Sequence, residues 1–411
     1  MGLLLIENAY LDELNNIERK KYVQKIKIIK YLYVEGAQSI ANIGNRLNIS
    51  LPTLTAIITE LIAEGLVEKQ GRGKSGGGRK PDLYGLQENS LFVLGVEMGN
   101  HETRMAIFNN EDINITGTQT FPIRLSKDGQ AIDALCQHAR ELIQQSGINR
   151  DKLIGIGINM PGLVDSHAGI NHTYLQVPGQ SLRQVLEEKL NKPVYIENDA
   201  KSIALAEYRF GLAEGKKDVL VISIDWGLGL GMLLNGKLYS GTSGFAGEFS
   251  HIPLIENGEL CHCGKQGCLE TVASGRALSR LAKEGIRAGK NSMLNAIVDQ
   301  AADSIEPHLI IDAALKGDQY AIHLLSQVGF QLGKGIAVLI QLLNPEMIIL
   351  GGRVAQANHY ILTPIQQALH IYCMPQLREK TSIAISRLGE KAGLLGSVAM
   401  VMENIFEDHI E

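Results

Sequence analysis

From about Leu91 onward, short apolar runs alternate with helix-patterned segments: LFVLGVEM, RMAIFN, LIGIGINMPG, PVYIEND, VLVISIDWG, LGMLLNG and later MIILGG. This alternation restricts the fold more than any other feature, because strands interleaved with helical stretches build an α/β chain. With 411 residues, 45% of them hydrophobic, the chain can bury more than one core, so the α/β part is expected to form two lobes. Several of the strands end in glycine or a polar residue, where α/β folds place ligand-contacting loops. A small-molecule cleft between the lobes is the expectation.

The first 88 residues have a different character. A helical stretch over about 17 to 34 precedes SIANIGNRLNIS and LPTLTAIITELIAEGLV, two helical patterns joined by a tight turn. Ser39 is placed to cap the first, and Ser50 with Pro52 to start the second, since serine satisfies free N–H groups and proline has none to lose. Leu54, Ile57, Ile58, Leu61 and Ile62 form the expected buried stripe, which leaves Thr53, Thr55, Ala56 and Thr59 outward. VEKQ and PDLYGL then flank the glycine-rich GRGKSGGGRK, two short strands around a basic tip. A helical hairpin with a charged loop also suits a packing or dimerisation module. Charge distribution favours DNA. Arg19 to Lys80 holds twelve Lys/Arg against four Glu, a surplus of eight, so a chain of net charge −5 carries −13 elsewhere. The block is read as a winged helix-turn-helix over 1–88. Ser50, Thr53, Thr55, Ala56 and Thr59 form its reading face, and Arg72, Lys74, Arg79 and Lys80 its phosphate-contacting wing.

No apolar stretch reaches the roughly 18 to 20 residues of a membrane span, and MGLLLIENAY lacks a basic start with a long apolar core, so a cytoplasmic protein is expected. Five cysteines is an odd count. Cys261, Cys263 and Cys268 cluster behind His251, a set suited to a closed, structural Zn²⁺ tetrahedron; the alternative is reduced buried thiols. His262, between two of these, is read as a bystander, and Cys136 and Cys373 as core residues. SIDWGLGLGM (223–232) has the glycines of a phosphate loop, yet it carries Asp225 and Trp226 where an anion would approach.

GIGINMPGLVD (155–165), IENDAKSIALAE (196–207), GLGLGMLLNGKLYSGTSGFAGEFSH (227–251), CHCGKQGCLE (261–270) and LLNPEMIILGG (342–352) resemble the ROK family of repressors and sugar kinases, and the preceding winged helix resembles its repressor branch. The resemblance implies an actin-like, two-lobed sugar-kinase-like domain. The lobes are expected at 89–205 with about 385–411, and at 206–384 with the zinc site. It places Asn198, Asp199, Glu248, His251 and Glu270 on sugar-contacting positions and Gly162 where backbone closes on the sugar. Asp199 matches the kinase base, here read as vestigial. Gln176 stands where the family has a sugar-binding asparagine, and Ser250 where it has a glycine. Glu97, Asn100 and His101 replace an Asp-x-Gly-Gly-Thr phosphate loop around Gly99; Asp225 and Trp226 replace glycine and threonine of a second loop; Arg353 replaces a glycine in a third. An aspartate beside a polyphosphate costs roughly one to four kcal/mol per unit charge in a partly desolvated cleft.

The resulting expectation is a non-enzymatic DNA-binding regulator, a repressor. It binds double-stranded operator DNA as a homodimer or dimer of dimers and is controlled by a sugar or sugar phosphate, with no ATP or Mg²⁺. Two alternatives stand beside it: an ATP-dependent hexose kinase that also binds DNA, and a repressor sequestered by a partner protein.

Overall fold

The computed structural model describes residues 14–73, 80–127, 129–298 and 305–410. It divides into two compact units, 1–197 with 397–411, and 198–396. The changes of unit fall at 197/198 and 396/397; the resemblance implies bounds at 205/206 and about 384/385.

In the first unit, helix α1 (Asn16–Glu35) opens on a capping box. The Asn15 Oδ1 accepts the N–H groups of Ile17 and Glu18, and the Glu18 carboxylate accepts that of Asn15. Strand β1 (Gln38–Ser39), α2 (Ile40–Leu47), α3 (Leu51–Ala63), β2 (Val67–Arg72) and β3 (Asp82–Leu86) follow, with sheet order β1-β3-β2. Ser39 caps α2 through the Asn42 N–H at 3.2 Å. Ser50 precedes α3, but its hydroxyl lies 2.8 Å from that of Thr53 and makes no bond to a helix N–H, which corrects the expected cap. Leu54, Ile57, Ile58 and Leu61 are buried, whereas Ile62 is exposed. At 3.6 residues per turn Ile62 sits about 80° round the helix from Leu54, beyond the stripe. Lys25 holds Glu60 at 3.1 Å and Glu64 at 2.6 Å, and Lys21 also pairs with Glu60, clasping α1 to α3.

The remainder of this unit is a five-stranded sheet made of β4 (Phe92–Met98), β5 (Thr103–Asn109), β6 (Gln119–Phe121), β7 (Leu153–Met160) and, after the small hairpin β8 (Val164–Asp165) and β9 (Ile170–Asn171), β10 (Val194–Asn198). Their order is β10-β7-β4-β5-β6, with β4 antiparallel to β5 and parallel to β7. Helices α4 (Gln130–Ser146) and α5 (Leu182–Leu190) bury Leu135, Leu142 and Leu186 in its core, together with Cys136. Tyr33 of α1 donates to Asp112 at 2.7 Å and Lys30 pairs with Glu407 at 3.0 Å, so the winged helix is tied into this unit.

The second unit begins with α6 (Asp199–Phe210) and repeats the same strand plan. Strands β11 (Val219–Ile224), β12 (Leu228–Leu234), β13 (Lys237–Leu238), β14 (Met347–Gly351) and β15 (Ser382–Ile385) lie in the order β13-β12-β11-β14-β15. In each sheet the first strand is central, the next two extend to one side by antiparallel pairing, and the last two lie on the other side. Helices α7 (Gly275–Arg287), α8 (Pro307–Leu315), α9 (Gln319–Leu343) and α10 (His359–Tyr372) supply the core with Leu278, Ile310, Leu325, Leu332 and Ile365, and Cys373 is buried beside them. Among the described residues no helix is long and apolar enough to cross a membrane.

Candidate functional site

The outward face of α3 carries Thr53, Thr55, Ala56 and Thr59, all exposed, with Ser50 at its start. Thr55 and Thr59 donate their hydroxyls to the carbonyls of Leu51 and Thr55, each at 2.8 Å. Their hydroxyl protons are thus used within the helix, and what remains for a partner is oxygen lone pairs and methyl groups. In the wing, Asp82 takes Lys69 at 2.7 Å and lies 3.8 Å from Arg72, while Lys80 is exposed. Lys74 and Arg79 lie outside the described residues. Part of the basic surplus is therefore internal: Lys21, Lys25 and Lys69 are occupied by carboxylates.

The glycine-rich segment 223–232 is a β-hairpin. Ser223 pairs with Gly229 and Ile224 with Leu228, leaving Asp225, Trp226 and Gly227 as its tip, closed by the Asp225 N–H on the Gly227 carbonyl at 3.0 Å. Gly229 and Gly231 lie in β12 itself. A Cβ at 229 would sit 2.6 Å from the Ala200 Cβ, and one at 231 would sit 2.5 Å from the Ala204 Cβ and 2.6 Å from the Ala200 carbonyl oxygen. These two glycines let α6 lie directly on the strand, which gives glycine a packing role at both positions. At the tip, Arg353 donates to one Asp225 carboxylate oxygen from Nε at 2.8 Å and approaches it from Nη2 at 2.6 Å. Two residues that looked like separate oddities are one ion pair.

Helix α6 starts at the edge of the same hairpin. Asn198 caps it through the N–H groups of Ala200 and Lys201, and Asp199 accepts the Ala200 N–H at 2.8 Å. Burial raises the Asp199 carboxyl above its ordinary range, and the negative charge of Asp225 adds to that rise against the Ala200 hydrogen bond. Burial likewise raises Glu248, reinforced by Asp199 and Glu270 and opposed by Lys201. Buried Lys201 is held by the Gly244 carbonyl. Glu248 and His251 belong to a short 3₁₀ turn and its start, and Glu270 opens the helical turn Glu270–Ala273. His251 Nε2 lies 4.0 Å from Glu248, its Nδ1 3.9 Å from Glu270. Asn198, Asp199, Glu248, His251 and Glu270 all lie in the second unit. The loop reaches this group as well, since a Cβ on Gly227 would lie 3.1 Å from Glu270 Oε1.

Gly162 belongs to the first unit. It has φ +103°, and a side chain there would meet Thr173 Cβ at 2.8 Å and Asn171 Oδ1 at 3.1 Å, so the hairpin β8–β9 requires glycine whatever binds nearby. Gln176, exposed, donates to the His172 carbonyl at 2.6 Å, and Ser250 is buried. Also in the first unit, Glu97 accepts Arg104 at 2.7 Å, and Gly99 to His101 form the turn between β4 and β5.

His251, Cys261, Cys263 and Cys268 present one ligand atom each, all within 4.8 Å of one another. Cys263 and Cys268 sulfurs are 3.6 Å apart and Cys261 lies 3.5 Å from His251 Nδ1. With Zn–S bonds of about 2.3 Å, a tetrahedron has an S···S edge of about 3.8 Å, so the donor set fits Zn²⁺. Burial lowers the His251 pKa, favouring the neutral imidazole a metal needs. Nδ1 faces the thiols and Nε2 faces Glu248, so one ring joins the cysteine cluster to the carboxylates. His262, outside the four-residue His/Cys set, has its Nδ1 3.3 Å from Glu270, and its ring packs edge-on against His251 at 5.1 Å. Sequence spacing gave no sign of this contact, because His262 and Glu270 lie on opposite sides of the Cys263–Cys268 turn.

The winged helix-turn-helix DNA-binding pattern matches residues 24–68, and the ROK family pattern matches residues 93–404. This chain belongs to the ROK family. The xylose repressor of Caldicellulosiruptor bescii is 29% identical over 395 residues, covering 94% of this chain and 96% of its own. A glucokinase of Halalkalibacterium halodurans is 33% identical over 317 residues, covering 76% of this chain and 95% of its own. Among solved structures, a ROK family transcriptional regulator described as a homologue of the E. coli MLC protein superposes with TM-score 0.78 at 27% identity, over 95% of this chain and 98% of that one. The ROK fold is thus shared by repressors and kinases, and similarity extends through the winged helix in the repressor and regulator.

Proposed function

We propose that this ROK protein is a DNA-binding transcriptional repressor controlled by a sugar, and that it does not phosphorylate that sugar. The observation that carries the reading is the continuity of a winged helix with a ROK domain along the full length shared with the xylose repressor. Helix α3 enters the major groove with Ser50, Thr53, Thr55, Ala56 and Thr59, while Arg72, Lys74, Arg79 and Lys80 contact backbone phosphates. A homodimer, or a dimer of such dimers, places two of these helices on a palindromic operator in the cytoplasm.

Asn198, Asp199, Glu248, His251 and Glu270 hold the sugar hydroxyls. Zn²⁺ on His251, Cys261, Cys263 and Cys268 supplies a closed structural cross-link. His251 then fixes the Glu248 side of the sugar cluster against the cysteine turn. The Asp225–Arg353 pair supports the absence of catalysis. The carboxylate stands on the hairpin that in a ROK kinase faces polyphosphate, and the guanidinium that neutralises it is thereby engaged. Asp199 then serves binding. Sugar changes operator affinity only through its preference for one conformation, about 1.4 kcal/mol per tenfold shift.

The test is operator binding titrated with free and phosphorylated pentoses, hexoses and amino sugars, run beside an ATP-dependent phosphorylation assay on the same panel. One sugar changing operator affinity without product formation is the expected outcome. Turnover of any sugar moves the assignment to a DNA-binding kinase, and the absence of any sugar effect moves it to control by a partner protein.

A further inference from the structure

Glu270 is buried in the second unit, its side chain 11% exposed. A buried carboxylate accepts a hydroxyl at a fixed position only if its own orientation is held by its neighbours. One oxygen, Oε1, faces the hairpin tip, where a Cβ on Gly227 would lie 3.1 Å from it. The other, Oε2, has three side-chain neighbours: His262 Nδ1 at 3.3 Å, His251 Nδ1 at 3.9 Å and the Cys261 sulfur at 3.9 Å.

Two of these neighbours belong to the set that fits Zn²⁺, and His262 does not. A cysteine on a metal is a thiolate, and an imidazole nitrogen on a metal offers its lone pair, so neither has a proton for Glu270 once the set is filled. His262 is then the side-chain donor left to Oε2 among the described residues. Its Nδ1 also lies 3.7 Å from the Cys261 sulfur, so a proton on that nitrogen sits between a metal-ligand sulfur and the carboxylate. Outer groups placed in this way orient the inner ones. The His262 side chain is 53% exposed, and its ring meets His251 only edge-on at 5.1 Å. Packing gives this histidine little to do; its polar edge gives it a partner.

We propose that His262 is a positioning residue of the sugar site, which donates from Nδ1 to Glu270 Oε2 and so leaves Oε1 aimed to accept one hydroxyl of the ligand. His262 thereby favours sugars that carry this hydroxyl over those that lack it. The proposal deepens the sugar-control reading above and rests on it.

Isothermal titration of the full chain, prepared with equimolar zinc, against free pentoses, hexoses and amino sugars and the deoxy derivatives of whichever binds, tests it. His262→Ala is expected to weaken the best-binding sugar about ten-fold, as loss of a hydrogen bond to a charged group should. His262→Asn, whose amide N–H falls where Nδ1 lies, should restore most of the affinity. In a Glu270→Gln background His262→Ala should have no further effect, and one deoxy derivative should bind the wild type and His262→Ala alike. A histidine that merely supported the fold would weaken every derivative equally and would not be rescued by asparagine. Zinc content and thermal midpoints are measured on each variant. Full affinity in His262→Ala, no rescue by His262→Asn, an equal loss in the Glu270→Gln background or a loss that accompanies loss of zinc overturns the proposal and leaves sugar control standing. A wild-type chain that binds no sugar overturns sugar control, and the role of His262 with it.

Discussion

Replacing Gly231 by alanine separates a packing role for the hairpin glycines from a phosphate-binding one. The new Cβ would lie 2.5 Å from the Ala204 Cβ and 2.6 Å from the Ala200 carbonyl oxygen. Ordinary contacts of this kind begin near 3.4 Å, so α6 must retreat from β12 by about 1 Å, because neither a backbone carbonyl nor a methyl group can swing aside. Overpacking of this size costs about 1–3 kcal/mol. In a unit of this length each kcal/mol lowers Tm by about 2–4 °C, so a fall of about 2–12 °C is expected for the transition of residues 198–396. The same retreat displaces Asn198 and Asp199, the first residues of α6, and should weaken sugar binding in parallel. Calorimetry and sugar titration on one preparation measure both. An unchanged Tm with unchanged sugar affinity would refute the packing argument.

Cys263→Ser should abolish stoichiometric zinc, measured by atomic absorption, and reduce sugar affinity, because the metal orients His251 toward Glu248; a zinc-free variant with full affinity would break that link. Asp199→Asn should raise Tm at neutral pH. A carboxyl whose folded pKa is raised by burial beyond its ordinary value of 3.8 loses folded stability as pH rises above that value, so the gain should vanish below about pH 4. A Tm difference that does not depend on pH would contradict this. Lys80→Ala should weaken binding to all DNA sequences alike and lower the slope of log K against log salt by about 0.9, whereas Thr59→Ala should alter discrimination between sequences and leave the slope unchanged. For the half-exposed Asp225–Arg353 pair, a double-mutant cycle on Tm should return a coupling of about 0.2–1 kcal/mol, screened by salt. A larger, salt-insensitive value would mean the pair is a structural clasp.

Much of this molecule was legible in the sequence where the signal is local. The apolar runs became β4, β5, β7, β10, β11, β12 and β14, and helical punctuation located α2 and α3. Of the edge strands, β6, β13 and β15 are not legible, since two to four residues at a sheet margin carry neither alternation nor a buried run. Ile62 was misplaced because a five-residue stripe spans more of the helix circumference than the packing covers. The Cys261, Cys263, Cys268 and His251 set was legible because ligand spacing is local. The His262–Glu270 contact and the Arg353–Asp225 pair were not, the latter joining residues 128 apart. Glycine is ambiguous in sequence for the same reason. Its meaning at 229 and 231 lies in Ala200 and Ala204, which only the fold brings there.

In the proposed function one chain couples sugar binding to DNA binding without chemistry. Fluorescence anisotropy of an operator fragment, first selected by the full chain from genomic DNA, tests it in a single titration with the sugar panel in the presence of Mg-ATP. One sugar or its monophosphate is expected to shift the apparent Kd by ten-fold or more while the sugar is recovered unaltered. An operator affinity indifferent to every sugar, or a shift that appears only as ATP is consumed, would contradict it.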